Sequence, residues 1–374
     1  MEELRSVPAG QGSGRGRAVC PAPVAFRRLR IAQVSPLYER VPPLLYGGTE
    51  RVVAYLCDAL VRRGHHVTLF ASGDSRTLAE LCAPTNRALR LDPAVKDQLA
   101  PHVLELARVG ERAHEFDVIH SHVDALALPF AQSWGVPTVH TLHGRLDLPY
   151  LRPLFHHFRD LPFVSISDSQ REPLRGLNVS WLRTIHHGLG LDEYPIGRGR
   201  GGYLAFLGRL SEEKRPDLAI AAARRVGVPL KIAAKLDRSD ASYFDEHVRP
   251  LLDGPMVEFV GEIGGADRAR FLGDAAALLF PIDWPEPFGL VMIEALACGT
   301  PVVAFRRGSV PEIIRHGQTG YIVDTIEGMV EAVRRIDRID RLACRQEVER
   351  RFTDVRMAMA YESAYSELLA HARR

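Results

Sequence analysis

The stretch that decides the fold is residues 281–294, which read PIDWPEPFGLVMIE. Two glutamates, Glu286 and Glu294, stand on either side of a Pro-Phe-Gly turn. The turn leads into the apolar segment Leu290–Cys298, and Gly299 follows as a typical helix stop. We therefore expect Glu286 in a loop at the mouth of a helix and Glu294 about one turn inside it. Because a helix rises ~1.5 Å per residue, both carboxylates can face one cleft at different depths.

The start of this predicted helix is suited to an anion. The backbone N–H groups of Phe288, Gly289 and Leu290 point out of the helix start, where negative charge is favoured. Two acids for hydroxyl groups and an amide cradle for phosphate together suit a sugar nucleotide. Helix glutamates are usually solvated, but this helix is almost wholly apolar and is expected to be buried, and unpaired buried glutamates are rare.

The pattern E-P-F-G-L-x-x-x-E-A-x-A-x-G-x-P-V-V-A, which begins at Glu286, resembles the signature of retaining glycosyltransferases of family 4. Residues 308–314 (GSVPEII) and 317–323 (GQTGYIV) continue the pattern. The resemblance extends from about Leu29 to the last residues given. It implies the GT-B fold, an α/β architecture in which two doubly wound Rossmann-like domains face a cleft between them.

Composition narrows the class of protein. The 374 residues are 46% hydrophobic and 25% charged, as in globular proteins, and the length predicts two or three domains. The net charge is +2, and no nucleic-acid-binding motif is present, so we expect no nucleic-acid partner. Apolar runs stay well below the ~20 residues of a transmembrane helix.

The cysteines indicate a reducing compartment. The five cysteines are widely spaced and include no C-x-x-C pair, which argues against a disulfide scaffold and against a structural zinc site. We expect a cytoplasmic location, with the periphery of the inner membrane as an alternative. Residues 1–28 are rich in Gly, Arg and Pro. We expect them to be a disordered N-terminal segment or an artefact of a start site assigned too far upstream.

Short apolar runs recur with the rhythm of βαβ units in parallel sheets. The first series runs from Leu29–Val34 to Arg183–His186, and a second runs from Tyr203–Leu207 to Tyr321–Val323. The Gly-rich stretch Asp192–Gly202 separates them. We predict an N-terminal acceptor domain at 29–192 plus 355–374, and a C-terminal donor domain at 193–354. The return of the last helix, over 354–370, to the first domain is implied by the resemblance.

A pair of glycines, Gly47 and Gly48, is predicted to open the first helix. Glycine carries no side chain, so backbone amides can approach a phosphate or a sugar closely. The bare motif favours a tight turn with Thr49 as helix cap. The resemblance instead implies that this turn borders the donor phosphates and the acceptor. The turn is neither a P-loop nor the dinucleotide fingerprint G-x-G-x-x-G.

Arg209 and Lys214 follow the first strand of the second series. Loops at the carboxyl edge of a doubly wound sheet bind ligands, and these two cations can take up a diphosphate. A solvated charged loop is the alternative. The pattern G-R-L-x-x-x-K resembles the diphosphate clamp of the family.

Histidines are frequent after two strands, at His120, His122, His140 and His143. We expect no metal site, because no carboxylate or Cys set completes one. The resemblance implies that His143 contacts a hydroxyl of the transferred sugar, whereas His120 and His122 line the cleft or are structural. His187 stands where many relatives have Asn, so the role of that asparagine is not transferred.

The roles of two further sites are predicted only from their position after predicted strands. Ile263 ends the run VGEI at a strand end where the family contacts the nucleotide base. Asp168 and Ser169 follow a predicted strand and either face the cleft or cap a helix, and we expect the cap.

These features predict a metal-independent retaining glycosyltransferase that needs no cofactor. The donor is a nucleoside-diphosphate sugar, with UDP the expected nucleotide, although the base, the sugar, the hydroxyl acceptor and the oligomeric state all stay open. Small molecules, lipids and polysaccharides are all candidate acceptors. The expected roles are catalysis for Glu286, His143, Arg209 and Lys214, and substrate binding for Gly47, Gly48, Arg209, Lys214, Ile263, Glu286, Phe288, Gly289, Leu290 and Glu294.

Three other interpretations remain open. A sugar-nucleotide epimerase or a phosphorylase could use the same fold, and an epimerase would convert the donor without an acceptor. A non-catalytic sugar-nucleotide-binding module would bind without turnover. A dinucleotide-dependent oxidoreductase is disfavoured, because the glycines at 197–202 precede a strand instead of following one.

Overall fold

The computed structural model describes residues 27–372, which form two parallel β-sheets one after the other along the chain. The expectation of disorder for residues 1–28 concerns a segment that lies almost wholly outside the described residues. Within the described range, no helix combines the length and the apolar character that a bilayer span requires.

The first sheet has seven strands in the order β3-β2-β1-β4-β5-β6-β7. These strands are β1 (Arg30–Val34), β2 (His66–Phe70), β3 (Glu80–Cys82), β4 (Val118–Ser121), β5 (Thr138–Thr141), β6 (Phe163–Ser165) and β7 (Trp181–Thr184). The α-helices between them are α1 (Gly48–Arg62), α2 (Leu99–Glu111), α3 (Leu128–Ala131) and α4 (Leu151–His157).

The second sheet has six strands in the order β10-β9-β8-β11-β12-β13. These strands are β8 (Leu204–Arg209), β9 (Leu230–Lys235), β10 (Val257–Gly261), β11 (Ala277–Phe280), β12 (Val302–Phe305) and β13 (Gly320–Val323). The remaining α-helices are α5 (Pro216–Val226), α6 (Ala241–Tyr243), α7 (Gly265–Asp274), α8 (Leu290–Ala297), α9 (Val310–Ile313), α10 (Ile326–Arg334), α11 (Arg341–Arg351) and α12 (Asp354–Ala372).

Every strand pair in both sheets is parallel, which confirms the predicted doubly wound architecture. In each sheet the strand order reverses beside the first strand, between β1 and β4 and between β8 and β11. Ligands of doubly wound sheets bind outside the carboxyl ends of the strands at this reversal. The topology therefore places two such binding edges in one molecule.

Two strands differ from the sequence expectation. Strand β7 covers Trp181–Thr184, two residues before the predicted run Arg183–His186. Strand β3 was not predicted at all, because its three residues are exposed or half-buried at the sheet edge and give little apolar signal.

The last helix returns to the first sheet, as the resemblance implied. Helix α12 packs along α1, and its Tyr361 and Tyr365 are among the largest fully buried side chains. The Tyr365 hydroxyl accepts a hydrogen bond of 3.0 Å from Gln33 Nε2 in β1. The domain limits at 192 and 355 nevertheless stay a prediction.

The chain passes between the two sheets twice, and both passages lie side by side. The backbone of Leu189 pairs with residues next to Thr353, through hydrogen bonds of 3.0 Å from Leu189 N to Phe352 O and 3.1 Å from Asp354 N to Leu189 O. A Cβ atom at Gly188 would lie 2.1 Å from the Thr353 carbonyl oxygen, so only glycine fits this close approach.

Candidate active site in the cleft between the two sheets

A cavity of about 400 Å³ lies where the carboxyl ends of the two sheets meet, a volume in the range of small-molecule sites. Its walls come from loops that follow strands of both sheets. The predicted site residues all line it, namely Gly47, Gly48, His143, Arg209, Lys214, Ile263, Glu286, Phe288, Gly289, Leu290 and Glu294. The structure thus brings together side chains that are far apart in the sequence.

Glu286 lies in the loop after β11 and is 8% exposed. Its Oε2 contacts Lys214 Nζ directly and also accepts a hydrogen bond of 3.1 Å from Trp284 Nε1. Lys214 Nζ lies 4.9 Å from the centre of the Trp284 ring, within the range of a cation–π contact. Trp284 and Lys214 therefore hold one carboxylate oxygen, and Oε1 is left for a ligand.

The backbone around Glu286 is held by the run at 308–314. A Cβ atom at Gly308 would lie 2.3 Å from the Glu286 carbonyl oxygen, and Gly308 has a positive φ of 52°. Ser309 N donates to the same carbonyl at 3.0 Å, and Ser309 Oγ donates to Phe288 O at 2.8 Å. The two loops are interlocked, which fixes the height of Glu286 in the cleft.

Helix α8 starts beside this loop. Gly289 precedes it with a φ of 74°, and no side chain caps the helix start by a hydrogen bond. The first-turn N–H groups of such a helix have no intrahelical acceptor and favour an anion. The amide cradle expected at Phe288–Leu290 therefore stays a prediction, located at the start of a helix that lines the cavity.

Arg209 ends strand β8, and its guanidinium already has carboxylate partners. Its guanidinium ion-pairs with Glu213 at 3.2 Å and with Asp240 at 3.1 Å. Glu213 also contacts Arg145, which comes from the first half of the chain and lies 5.2 Å over the Trp284 ring. A diphosphate bound here would compete with Glu213 for Arg209.

Glu294 lines the cavity and is already paired with cations. It is 2% exposed and accepts hydrogen bonds from Arg268 at 2.9 Å and from the Tyr194 hydroxyl at 3.0 Å. Arg51 of α1 lies 3.9 Å away. Burial works to raise the pKa of Glu294, but the charges of Arg268 and Arg51 outweigh it and hold that pKa below its usual value. Glu294 therefore links the two halves of the molecule.

The loop before the glycine pair is hydrogen-bonded to the second half of the molecule. The Leu45 carbonyl accepts hydrogen bonds from Arg51 at 2.8 Å and from Arg268 at 3.1 Å, and Tyr46 N donates to Glu262 at 2.8 Å. Gly47 has a φ of 141°, a backbone conformation that residues other than glycine rarely adopt. The glycine pair is thereby held at the cavity wall, next to the loop that contains Ile263.

A buried glutamate lies in the first turn of helix α1. Glu50 lines the cavity and is 4% exposed, and burial raises its pKa to about 7. Its Oε1 accepts a hydrogen bond of 3.3 Å from Glu39 N. The charge of Glu50 therefore changes near neutral pH.

Four histidines, His120, His122, His143 and His187, form a packed group in which each ring contacts the next. His143 lines the cavity and stacks on His187 with ring centres 5.2 Å apart. His120 is fully buried and bonded to Tyr365 and Thr141 at 2.7 Å each, so its role is structural. In the described part of the chain, no cluster of three or more His, Cys, Asp or Glu side chains is arranged to hold a metal ion.

The expectation that Asp168 caps a helix is wrong. The short 3₁₀ turn that follows it receives no side-chain cap, and the Asp168 carboxylate instead accepts the Thr184 hydroxyl. The free N–H groups of Asp168 and Ser169 donate to Glu312 of the second half at 2.9 and 2.8 Å. A carboxylate from the other domain satisfies this turn, and a local sequence pattern does not reveal it.

Sequence reasoning missed Arg51, Arg145 and Arg268. Each is a single arginine outside any recognisable motif, and arginines are numerous in this chain. Only the approach of the two halves gives each of them a partner from the other half.

Comparison with known proteins gives matches to both halves of the chain. Residues 46–193 match the family model described as Glycosyltransferase Family 4, and residues 198–349 match the model described as Glycosyl transferases group 1. Glycogen synthase of Mycobacterium tuberculosis is 28% identical over 82% of this chain and 86% of its own length.

Solved structures are similar across nearly the whole chain. AviGT4, a glycosyltransferase involved in avilamycin A biosynthesis, has a TM-score of 0.70 at 26% identity, with 92% of this chain and 98% of that chain covered. The Anabaena protein HepE, solved in complex with UDP and glucose, has a TM-score of 0.71 at 18% identity and covers 91% of this chain and 100% of its own. The similarity thus includes both sheets.

Proposed function

We infer that this chain, a glycosyltransferase with the GT-B fold, is a retaining enzyme that moves a sugar from a nucleoside-diphosphate sugar to an acceptor hydroxyl in the cleft. The observation that supports this proposal most strongly is that Arg209, Lys214, Glu286 and the start of α8 all line the same cavity. Cations, acids and free amides at one place match the three parts of such a donor.

In this proposal the diphosphate lies between Arg209, Lys214 and the amides near Gly289. Arg209 binds phosphate oxygens with its forked guanidinium, and Lys214 acts as a point charge. The leaving group gains negative charge as the bond to the sugar breaks. The two cations therefore bind the transition state more tightly than the ground state, which is the condition for catalysis.

The acids bind the hydroxyl groups of the donor. Glu286 Oε1 accepts from hydroxyls of the sugar ring, while Lys214 and Trp284 hold Oε2. Glu294 accepts from the ribose with the lone pairs that Arg268 and Tyr194 leave free. Ile263 contacts the base, and Gly47 and Gly48 border the phosphates and the acceptor.

The reaction passes through an oxocarbenium-like state in this proposal. The bond between the anomeric carbon and the diphosphate oxygen breaks, and the acceptor hydroxyl attacks the same face of the sugar. The acceptor proton goes to the departing phosphate oxygen, so charge and atoms balance without a covalent enzyme intermediate. His143 contacts a sugar hydroxyl during this step.

We propose a UDP-hexose as the donor. The HepE complex with UDP and glucose supports this choice, since that protein shares the fold. The acceptor stays unassigned among small molecules, lipids and polysaccharides. The four cysteines of the described residues are free thiols, which supports a reducing compartment and the proposed cytoplasmic location.

We propose that the reaction needs no metal ion. What supports this is the supply of positive charge by Arg209 and Lys214 at the expected position of the diphosphate, since neutralising that charge is what a metal ion does for such leaving groups.

A thermal-shift screen with UDP-, GDP-, ADP- and TDP-sugars tests the proposal, because a ligand that binds only the folded state raises its melting temperature. The sugar nucleotide that gives the largest shift is then incubated with and without candidate acceptors. Transfer that depends on the acceptor, with the anomeric configuration kept, supports the proposal. Conversion of the donor alone would indicate an epimerase, and binding without turnover would indicate a non-catalytic module.

A further inference from the structure

His122 uses both of its ring nitrogens, and this fixes where its proton lies. Its Nδ1 is 2.8 Å from His143 Nε2, and its Nε2 is 2.8 Å from Gln33 Oε1. His122 and Gln33 are fully buried, so water does not offer either of them another partner. Every proton in this chain of contacts must therefore be assigned from the groups themselves.

The amide of Gln33 sets the direction of the chain. Gln33 Nε2 donates to the Tyr365 hydroxyl at 3.0 Å, which turns Oε1 towards His122. A carbonyl oxygen only accepts, so the proton of that contact belongs to His122 Nε2.

Both imidazoles are neutral near pH 7, because burial lowers the pKa of His122 well below its usual value and that of His143 to about 3. A neutral imidazole carries one proton, so the Nδ1 of His122 is a lone pair. The proton between the two rings then belongs to His143 Nε2.

The other nitrogen of His143 follows by elimination. With its single proton on Nε2, His143 has a bare Nδ1, and this atom is buried and has no hydrogen-bond partner among residues 27–372. The ring lies in the cavity wall and stacks on His187. An imidazole nitrogen without a proton can accept a hydrogen bond from a hydroxyl group and cannot donate one.

We propose that Gln33 and His122 are positioning residues that hold His143 as its Nε2–H tautomer, so that Nδ1 accepts a hydrogen bond from a hydroxyl of the bound sugar. This inference rests on the proposed function, since the hydroxyl belongs to the proposed donor. It adds a defined direction to the contact: the sugar hydroxyl donates and the enzyme accepts.

A tyrosine of helix α12 sets the direction of these hydrogen bonds. The Tyr365 hydroxyl accepts from Gln33 and lies 2.7 Å from His120 Nδ1, so it donates its proton to that nitrogen. The helix that returns from the second half of the molecule thereby sets the orientation of an amide in β1, and the amide sets the tautomer of a cleft residue. A turned amide would reverse every donor in the chain and leave a proton on His143 Nδ1.

The tautomer can be measured without any substrate. In ¹⁵N-labelled protein, two-bond ¹⁵N–¹H correlations of the imidazole rings distinguish a proton on Nε2 from a proton on Nδ1, and a His143→Gln variant assigns the signal. We expect the Nε2–H form of His143. The Nδ1–H form, or a mixture of both, would overturn the proposal whether or not the protein is a glycosyltransferase.

Two substitutions of Gln33 separate positioning from packing. Gln33→Leu removes the acceptor of the His122 proton, and we expect the fixed tautomer to be lost and kcat/KM for transfer to fall about tenfold or more. Gln33→Glu keeps a carboxyl oxygen that can accept the His122 proton, so it should preserve the Nε2–H tautomer and most of the activity. If Gln33→Glu loses its activity and the wild type has the Nδ1–H form of His143, the hydrogen bonds between Gln33, His122 and His143 point in the opposite direction, and the proposal is wrong.

Binding of UDP alone is the matching control, since it lacks the sugar that His143 contacts. The affinity of Gln33→Leu for UDP should equal that of the wild type. If the wild type transfers no sugar from any donor, the proposed function fails, and the imidazole spectra still decide whether Gln33 and His122 fix the tautomer. If Gln33→Leu does not fold, the wild type and Gln33→Glu carry the test.

Discussion

Lys214 and Glu286, which are 72 residues apart in the chain, form a partly buried ion pair in the wall of the cleft. The pair joins the loop after β8 to the loop after β11, the two strands at which the second sheet reverses its order. The cation proposed for the diphosphate and the acid proposed for the sugar thus meet where ligands of such sheets bind.

Substitution of either partner of this pair should abolish most transfer. We expect Glu286→Gln and Lys214→Ala each to lower kcat by about 100-fold or more, because each removes a charge that acts on the transition state. Steady-state rates and circular dichroism measure activity and fold. Glu258→Gln and Lys231→Ala are the matched controls, since this pair lies on the same domain outside the cavity. Wild-type rates in both cleft variants would remove the assignment.

Arg209 should distinguish a diphosphate from a monophosphate. We expect Arg209→Ala to weaken UDP binding by roughly tenfold or more and UMP binding much less, because the forked bonds of arginine are directed at the diphosphate. Calorimetric titrations of both nucleotides measure the difference. Arg249→Ala, at an exposed ion pair of the same domain, should bind both like the wild type. An equal loss for UDP and UMP would place the diphosphate elsewhere.

Removal of metal ions should leave the reaction intact. Because Arg209 and Lys214 supply the positive charge, we expect the rate in excess EDTA to stay within about twofold of the rate with added Mg²⁺. The assay compares both conditions with the donor that the thermal-shift screen selects. Loss of activity in EDTA that Mg²⁺ or Mn²⁺ restores would contradict the metal-independent mechanism.

Glu50 should make the stability of the fold depend on pH. Its pKa is raised from 4.5 to about 7, so the folded protein keeps a proton that the unfolded chain loses as pH rises through this window. The wild type should therefore lose stability between pH 4.5 and 7 relative to Glu50→Gln, which cannot ionise. We expect the variant to gain up to about 3 kcal/mol of unfolding free energy above that window and nothing below it.

Denaturant titrations on both sides of the window check this expectation. A gain in Glu50→Gln that does not vary with pH would mean that Glu50 is not the titrating group.

Much of the fold could be predicted because parallel strands buried on both faces are continuous apolar runs. Strand β11 begins and ends at the predicted residues Ala277–Phe280, and the Gly-rich linker falls between β7 and β8. The edge strand β3 could not be found in this way, since an edge strand needs few apolar residues. The shift of β7 has the same cause, because its Trp181 and Leu182 are only half-buried.

The candidate site could be predicted as far as local motifs reach. Glu286, Gly289, Arg209 and Lys214 lie within recognisable patterns, and the structure brings all four to one cavity. The ion pair of Glu294 with Arg51 could not be predicted, because it forms only where the two halves of the chain approach each other. The contact of His122 with Gln33 has the same origin in tertiary structure, since the two residues are 89 positions apart.

Whether the cleft between the sheets binds a nucleoside-diphosphate sugar can be seen in a crystal structure of the protein with the donor that the thermal-shift screen selects. We expect phosphate oxygens within hydrogen-bond distance of Arg209, Lys214 and the start of α8, with sugar hydroxyls on Glu286. A donor bound outside this cavity, or one whose diphosphate contacts neither cation, would contradict this expectation.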